Sequence, residues 1–270
     1  DYLDDKTEKI DSLIENIKKK IELLEEQRSA LINQVVTKGL DPNVEMKDSG
    51  IDWIGEIPND WENTRLKYAV DNNKYYQIGD GDHGSISPDD YKDDGIPYIR
   101  VQNFTFKGEF IKDGLVFISE EIHKKNKKSR LLPDDLLISK TGATVGKVIL
   151  LDESYSEYNT TSSVGKITFD KSRYYPKFMF YTFQSDFIQE IIKLYSYQKS
   201  AQPGFNIDQL INFTILKLDI TEQKKIADYL DDKTEKIDSL IENIKKKIEL
   251  LEEQRSALIS NVVTGKIRVS

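Results

Sequence analysis

"DYLDDKTEKIDSLIENIKKKIELLEEQRSALI" (Asp1–Ile32) decides the architecture, because the same 32 letters return unchanged at Asp228–Ile259. Ile10, Ile14, Ile17, Ile21 and Leu24 follow alternating steps of four and three, and Leu31 resumes the series. A period of 3.5 is the seam of a helix packed along another helix, not of a strand. In the second copy the seam falls on Ile237, Ile241, Ile244, Ile248, Leu251 and Leu258. The remaining positions are mostly Glu, Lys, Asp and Asn, as on solvated faces, and neither Pro nor Gly interrupts the run. Leu13, Leu23, Leu240 and Leu250 lie off the strict seam. They widen the apolar face beyond what one neighbouring helix covers, which makes them candidate partner-binding residues. At 1.5 Å per residue each copy is about 48 Å long.

The connectivity constrains how the copies pair. The first helix runs into a middle region, and the middle region returns to the start of the second helix. A compact middle region brings those two ends together, so the simplest pairing is antiparallel and within one chain. Identical antiparallel helices have a two-fold axis perpendicular to their length, giving a spacer with two equivalent ends. The alternative is a coiled coil between two copies of the chain. "ITEQKKIA" (Ile220–Ala227) leads into the second helix, with Thr221 as the expected N-cap and Glu222 in the first turn. Gly39 and Gly265 stand where C-cap glycines belong. The first copy lacks this lead-in and opens on Asp rather than Met, which suggests a cut edge. The expected boundaries are 1–38 for the first spacer helix, 39–220 for the middle domain, 221–264 for the second helix and 265–270 for a tail.

Within the middle region, "GIPYIRVQNF" (Gly95–Phe104), "DLLISK" (Asp135–Lys140), "GKVILL" (Gly146–Leu151) and "VGKITF" (Val164–Phe169) have strand composition. "PKFMFYTFQSDFIQEIIKLY" (Pro176–Tyr195) reads as one helix with Pro near its start. "NIDQLINFTILKLDI" (Asn206–Ile220) reads as a helical turn followed by a strand. The fold class is therefore α+β: a mixed α/β domain with several short strands, flanked by two long helices forming an antiparallel coiled coil.

There is no Cys in the 270 residues, which excludes disulfides and thiolate zinc sites and fits a cytoplasmic location. No apolar run approaches the roughly 20 residues that span a bilayer. The net charge of −8 argues against a strongly basic nucleic-acid binder, but each repeat copy carries nine acids against six bases, so much of the excess lies in the helices. The middle region is uneven. "HKKNKKSR" (His123–Arg130) is basic and "DDYKDD" (Asp89–Asp94) is acidic.

No catalytic or metal-ligating set stands out. His83 and His123 lie in separate segments without metal-ligand spacing, and "TGATVGK" (Thr141–Lys147) lacks the spacing of a phosphate-binding loop. It reads as a hairpin turn. Polar loops fit DNA contact better. Lys140, Thr141 and Thr144 belong to that turn; Lys199, Ser200 and Gln202 precede Pro203 and Gly204; and His83 lies in "GDGDHGSIS" (Gly79–Ser87). Lys, Ser and Gln are partners of phosphates and base edges. Arg100 and Gln102 are expected on one side of a strand. Lys124, Lys125, Lys127 and Lys128 are candidate phosphate contacts, with a plain solvated helix face as the competing reading. Tyr155, Tyr158, Tyr174, Tyr175 and Tyr181 are expected in the core or at its rim.

Taken together, these segments resemble the specificity subunits of Type I restriction-modification systems. "GLDPNVEMKDSGIDWIGEIPNDWENTRLKY" (Gly39–Tyr68) is similar to the passage from a conserved helix into a target-recognition domain, and "DLLISKTGATVGKV" and "SAQPGFNIDQLINFTI" are similar to recurrent segments of such domains. The resemblance covers nearly the whole chain. It implies a non-catalytic subunit that binds double-stranded DNA and docks two modification subunits, joined in the full complex by restriction subunits. S-adenosylmethionine and ATP would then belong to those partners and no cofactor to this chain. A full subunit of that family carries two recognition domains, whereas this chain has two helices and one domain. It resembles the latter half of a subunit. An excised piece and a natural half-subunit that forms a homodimer both fit. The competing class is a coiled-coil adaptor with a globular protein-binding head. A small hydrolase or transferase would need a catalytic cluster that the sequence lacks.

Overall fold

The computed structural model describes residues 2–72, 77–197 and 203–267. The chain divides into two compact units, one built from Asp1–Leu31 and Tyr229–Ser270 and the other from Ile32–Asp228. Two long helices, α1 (Tyr2–Lys38) and α6 (Ile220–Val263), contribute to both.

In the first unit Ile14, Ile237, Ile241 and Ile248 are buried. Ile10, Ile17, Ile21, Leu24, Leu31, Ile244, Leu251 and Leu258 are half-buried, while the Glu and Lys between them are exposed. Arg28 Nε donates to Asp238 at 3.2 Å, and Arg255 Nη2 donates to Asp11 at 3.0 Å. Asp238 is the repeat equivalent of Asp11, and Arg255 that of Arg28. The two pairs are therefore one contact made twice with the helices exchanged. Leu13, Leu23, Leu240 and Leu250 remain exposed.

The second unit holds the short strands. In chain order they are β1 (Met46–Asp48), β2 (Glu56–Pro58), β3 (Glu62–Arg65), β4 (Ile78–Asp80), β5 (Ile96–Ile99), β6 (Val116–Ile118), β7 (Arg130–Leu131), β8 (Leu136–Ser139), β9 (Val148–Leu150), β10 (Tyr158–Thr160), β11 (Val164–Ile167) and β12 (Thr214–Lys217). Four short helices accompany them: α2 (Glu120–Lys125), α3 (Pro176–Gln184), α4 (Asp186–Tyr197) and α5 (Ile207–Leu210). One four-stranded sheet has the order β6-β5-β10-β7, with β10 parallel to β5; the other, β4-β11-β8-β9, is antiparallel throughout. β8 and β11 are buried at every position, on both faces, and this takes Ser139 and Lys166 inside along with the apolar residues. Ile99, Phe104, Leu131, Leu137, Ile149, Leu151, Tyr158 and Val164 form one core cluster drawn from both sheets. Tyr174 and Tyr181 are also buried.

The structure corrects two local expectations. Pro176–Tyr195 is not one helix: Ser185 turns to an extended backbone (φ −68°, ψ 151°) and separates α3 from α4. Its hydroxyl donates to Thr182 O at 2.6 Å, the local bonding by which Ser competes with helix continuation. Nor does Thr221 cap the second long helix. α6 begins at Ile220, and Asp219 accepts the Thr221 N–H at 2.8 Å. Gly39 (φ +75°) does close α1, donating to Val35 O at 3.0 Å. No helix among the described residues is long and apolar enough to cross a membrane.

A polar pair lies under the antiparallel sheet. Asp135 accepts from Thr168 Oγ1 at 2.6 Å and Leu132 N at 2.8 Å, and Lys166 Nζ donates to Arg130 O at 2.7 Å. Burial pushes the Asp135 carboxyl up to about 6 and the Lys166 ammonium down to about 8. A carboxyl raised in the folded state stabilises below its unfolded pKa and loses that contribution as pH rises through the folded value. Asp135→Asn should therefore recover about 2 kcal/mol relative to the parent between pH 4 and pH 7. Urea unfolding across that range checks this, and a difference independent of pH would contradict it.

Candidate nucleic-acid interface

Sheet topology collects the polar loops at one end. β4 and β8 both run antiparallel to β11, so their C-terminal ends lie together beside the start of β11. The segments 81–87, 140–147 and 161–163 leave from that end. Ser162 N donates to Asp82 O and Asp82 N to Thr160 O, both at 2.7 Å, while Lys140 N donates to Ser163 O at 2.9 Å. Gly81 is required by this approach, since a Cβ there would lie 2.1 Å from Thr160 O.

Asp80, the last residue of β4, accepts from Lys140 Nζ at 2.5 Å through one oxygen and lies 3.0 Å from His83 Nε2 through the other. Burial alone would raise its carboxyl, but the bonds to Lys140 and His83 outweigh that and hold it below the ordinary range. Asp82 shapes the next turn by accepting the N–H groups of Gly84 (2.9 Å), Ser85 (3.2 Å) and Ile86 (3.0 Å). The Ser85 hydroxyl and these N–H groups likewise outweigh its burial and hold its carboxyl low. Asp82 is thus an anion already saturated with donors.

The basic segment packs beside this turn. Ser119 caps α2, accepting from Ile122 N at 3.3 Å, and Asn126 ends it. Ser85 Oγ, whose proton goes to Asp82, also lies 2.9 Å from Asn126 Oδ1, so the two loops meet there. Between them is a groove of about 380 Å³ lined by Gly81, Asp82, His83, Lys125, Asn126, Lys127, Lys128 and Ser129. Lys125 is tied to Glu121 at 2.7 Å. Lys127 and Lys128 are exposed and have no ion-pair partner among the described residues. The groove therefore presents net positive charge.

The structure brings His83, Lys125, Lys127 and Lys128 together at this groove. Other expected contacts are placed differently. Lys140 is 6% exposed and spends its charge on Asp80, so it supports the loop rather than facing solvent. The Thr144 hydroxyl is engaged with Ser139 Oγ at 2.8 Å, and Ala143 is the exposed residue of the turn. Thr141 is half-buried and bridged to Gly204. Arg100 and Gln102 do not share a strand: β5 ends at Ile99, Arg100 donates to Gly114 O at 2.8 Å, and Gln102 lies in a 3-10 turn, exposed. Lys124 pairs with Glu120 at 2.6 Å away from the groove lining. Lys199, Ser200 and Gln202 lie outside the described residues, though Pro203 O accepts from Gly142 N at 2.9 Å. His123 is buried beside Asn159 and Glu157, and burial first of all lowers its pKa. Asp82, Ser85, Asn126 and Ser129 were missed by sequence reading; Asp with Gly and Ser two and three residues on is an Asx-turn signal that could have found the first two. Among the described residues no group of three or more His, Cys, Asp or Glu could hold a metal ion. A second cavity, of about 290 Å³, lies among β3, β12 and α4, but its Arg65 is bonded to Asn212 O and Thr214 Oγ1 at 2.9 Å each.

Comparison with known proteins gives consistent matches. The family model described as "Type I restriction modification DNA specificity domain" matches residues 59–250, more than half of the chain. The Type I restriction enzyme MjaVIII specificity subunit of Methanocaldococcus jannaschii is 28% identical over 265 residues, covering 96% of this chain and 58% of that protein. A chain from a structure on complex assembly and conformational transition of the type I R-M system has a TM-score of 0.62 at 16% identity, covering 96% of this chain and 58% of that one. The Type-I restriction-modification S subunit from M. genitalium has a TM-score of 0.53 at 14% identity, covering 95% and 58%. These two likenesses show a shared fold. The chain spans a little over half the length of the curated relatives it matches.

The Asp80–Lys140 pair generates a stability test. Removing one partner of such a pair leaves a buried charge unpaired, so Lys140→Met should cost about 3 kcal/mol. Asp80→Asn combined with Lys140→Met should cost clearly less than the sum of the single changes. Denaturant unfolding of the four proteins checks this, and strict additivity would contradict the coupling.

Proposed function

The chain belongs to the Type I restriction modification DNA specificity domain family, and on that premise we propose that it is a non-catalytic DNA-recognition subunit whose basic groove holds the backbone of one half of a bipartite target. The observation that carries this reading is the convergence of His83, Lys127 and Lys128, from separate segments, on one groove at a sheet end. Lysines without carboxylate partners neutralise phosphates, and in this reading the loops beside them would contact base edges. The overall charge of −8 does not oppose this, because the acidic excess is weighted towards the helices while the groove is basic.

The long helices act in this proposal as an antiparallel coiled-coil spacer, which the exchanged pairs Asp11–Arg255 and Arg28–Asp238 support. Exposed Leu13, Leu23, Leu240 and Leu250 would dock modification subunits, which carry the S-adenosylmethionine, while ATP belongs to restriction subunits. A single recognition domain reads a single half-site. Two copies related by a C2 axis would read a split palindrome.

Selection of this chain on random duplexes, followed by a salt titration, tests the proposal. Lys127→Ala and Lys128→Ala should weaken binding evenly across sequences and each flatten the slope of log affinity against log salt by about 0.9. Unchanged slopes would remove the groove from the interface. Co-expression with the modification subunit of the same system should yield adenine methylation at a split motif, and none in the groove variants.

A further inference from the structure

Phe106 is 63% exposed, although the fold has buried most of its other phenylalanines. It stands on a turn that is held from several sides. Thr105 Oγ1 accepts the N–H groups of Lys107 (3.2 Å) and Glu109 (3.1 Å), and Thr105 N donates to Glu109 O at 3.1 Å. Phe104, wholly buried, and Phe110 bridge across the base of the turn. From α3, Gln184 Nε2 donates to Lys107 O at 2.7 Å. Gly108 (φ +85°) lies so close to Phe180 that a Cβ would sit 2.4 Å from the ring. The ring contributes little to the core, while the turn that carries it is clamped from within the fold. That arrangement suits contact with something outside the chain.

The neighbouring group indicates what that is. Lys147 Nζ lies 5.2 Å from the Phe106 ring centroid. Lys147 closes the turn that begins at Lys140: Ser139 N donates to Lys147 O at 2.8 Å, and Gln189 Nε2 from α4 donates to Gly146 O at 3.0 Å. The Phe106–Lys147 patch is thus continuous with the sheet end that carries the basic groove. A ring with an ammonium over it and most of its surface exposed matches a polyanion with apolar bases between its charges, because the exposed part of the ring can pack on a base while the ammonium meets a phosphate.

We infer that Phe106 is an apolar wedge that packs against a base step of the bound duplex, with Lys147 on the adjoining phosphate, and so contributes specificity through DNA deformability. The inference rests on the DNA-recognition reading above. Such a wedge discriminates by the cost of unstacking the step it enters, and flexible pyrimidine–purine steps yield most easily.

The test uses the full chain and the duplex it selects, with 2-aminopurine placed in turn at each step. The parent protein should raise fluorescence at one step. Phe106→Ala should abolish that rise and weaken binding about tenfold with the salt slope unchanged. Phe106→Leu, still an apolar wedge, should keep most of the rise. Lys147→Ala should flatten the salt slope by about 0.9. Parent-like affinity and fluorescence in Phe106→Ala would overturn the wedge while leaving the groove intact. Failure of the parent to select any duplex would overturn both readings, and this separates the two failures.

Discussion

The Asp80 carboxylate is the point on which the geometry of the candidate interface depends. It closes β4, the edge strand of the antiparallel sheet, and reaches across to the ammonium of Lys140, which follows β8. β11 lies between those strands, so the pair spans the sheet end and fixes two loops at once. Its second oxygen holds His83, at the lip of the basic groove. In the low dielectric around Lys140 such a contact is directional and expensive to break. The loop after β4 is therefore tied at its base, and Asp82 and the Ser85–Asn126 contact link it to the lysine-bearing segment.

This explains why some of the site was legible in the sequence and some was not. The 3.5-residue period and the exact repeat identified two helices, because helix pairing writes itself along one segment. The strands at Leu136–Ser139, Val148–Leu150 and Val164–Ile167 were visible as β-rich runs. Lys140 was misread because lysine is nearly always exposed, and only the strand order reveals the carboxylate 60 residues away that keeps it inside. Thr144 and Arg100 share that history. Their polar groups are used within the fold, by Ser139 and by Gly114, through contacts that no local pattern marks. Lys127 and Lys128 were readable as a cluster, but the groove they line with His83 was not, since it forms from segments about 40 residues apart. Phe106 went unnoticed because an exposed aromatic residue and a buried one look alike in sequence.

The two units differ in kind along the same line. The helical unit is repetitive and heavily charged, and it makes the same Arg–Asp contact twice with the helices exchanged. The α/β unit is irregular, with many short strands whose connecting loops are free to vary while buried runs such as β8 and β11 hold the frame.

The most direct measurement is amide hydrogen exchange on the full chain with and without its selected duplex. The account expects new protection to concentrate in the segments 81–87, 126–129 and 141–147, at the sheet end set by Asp80 and Lys140. Protection confined to the β1–β2 hairpin and the β3–β12 pair, with those loops unchanged, would place the DNA on another surface and contradict it.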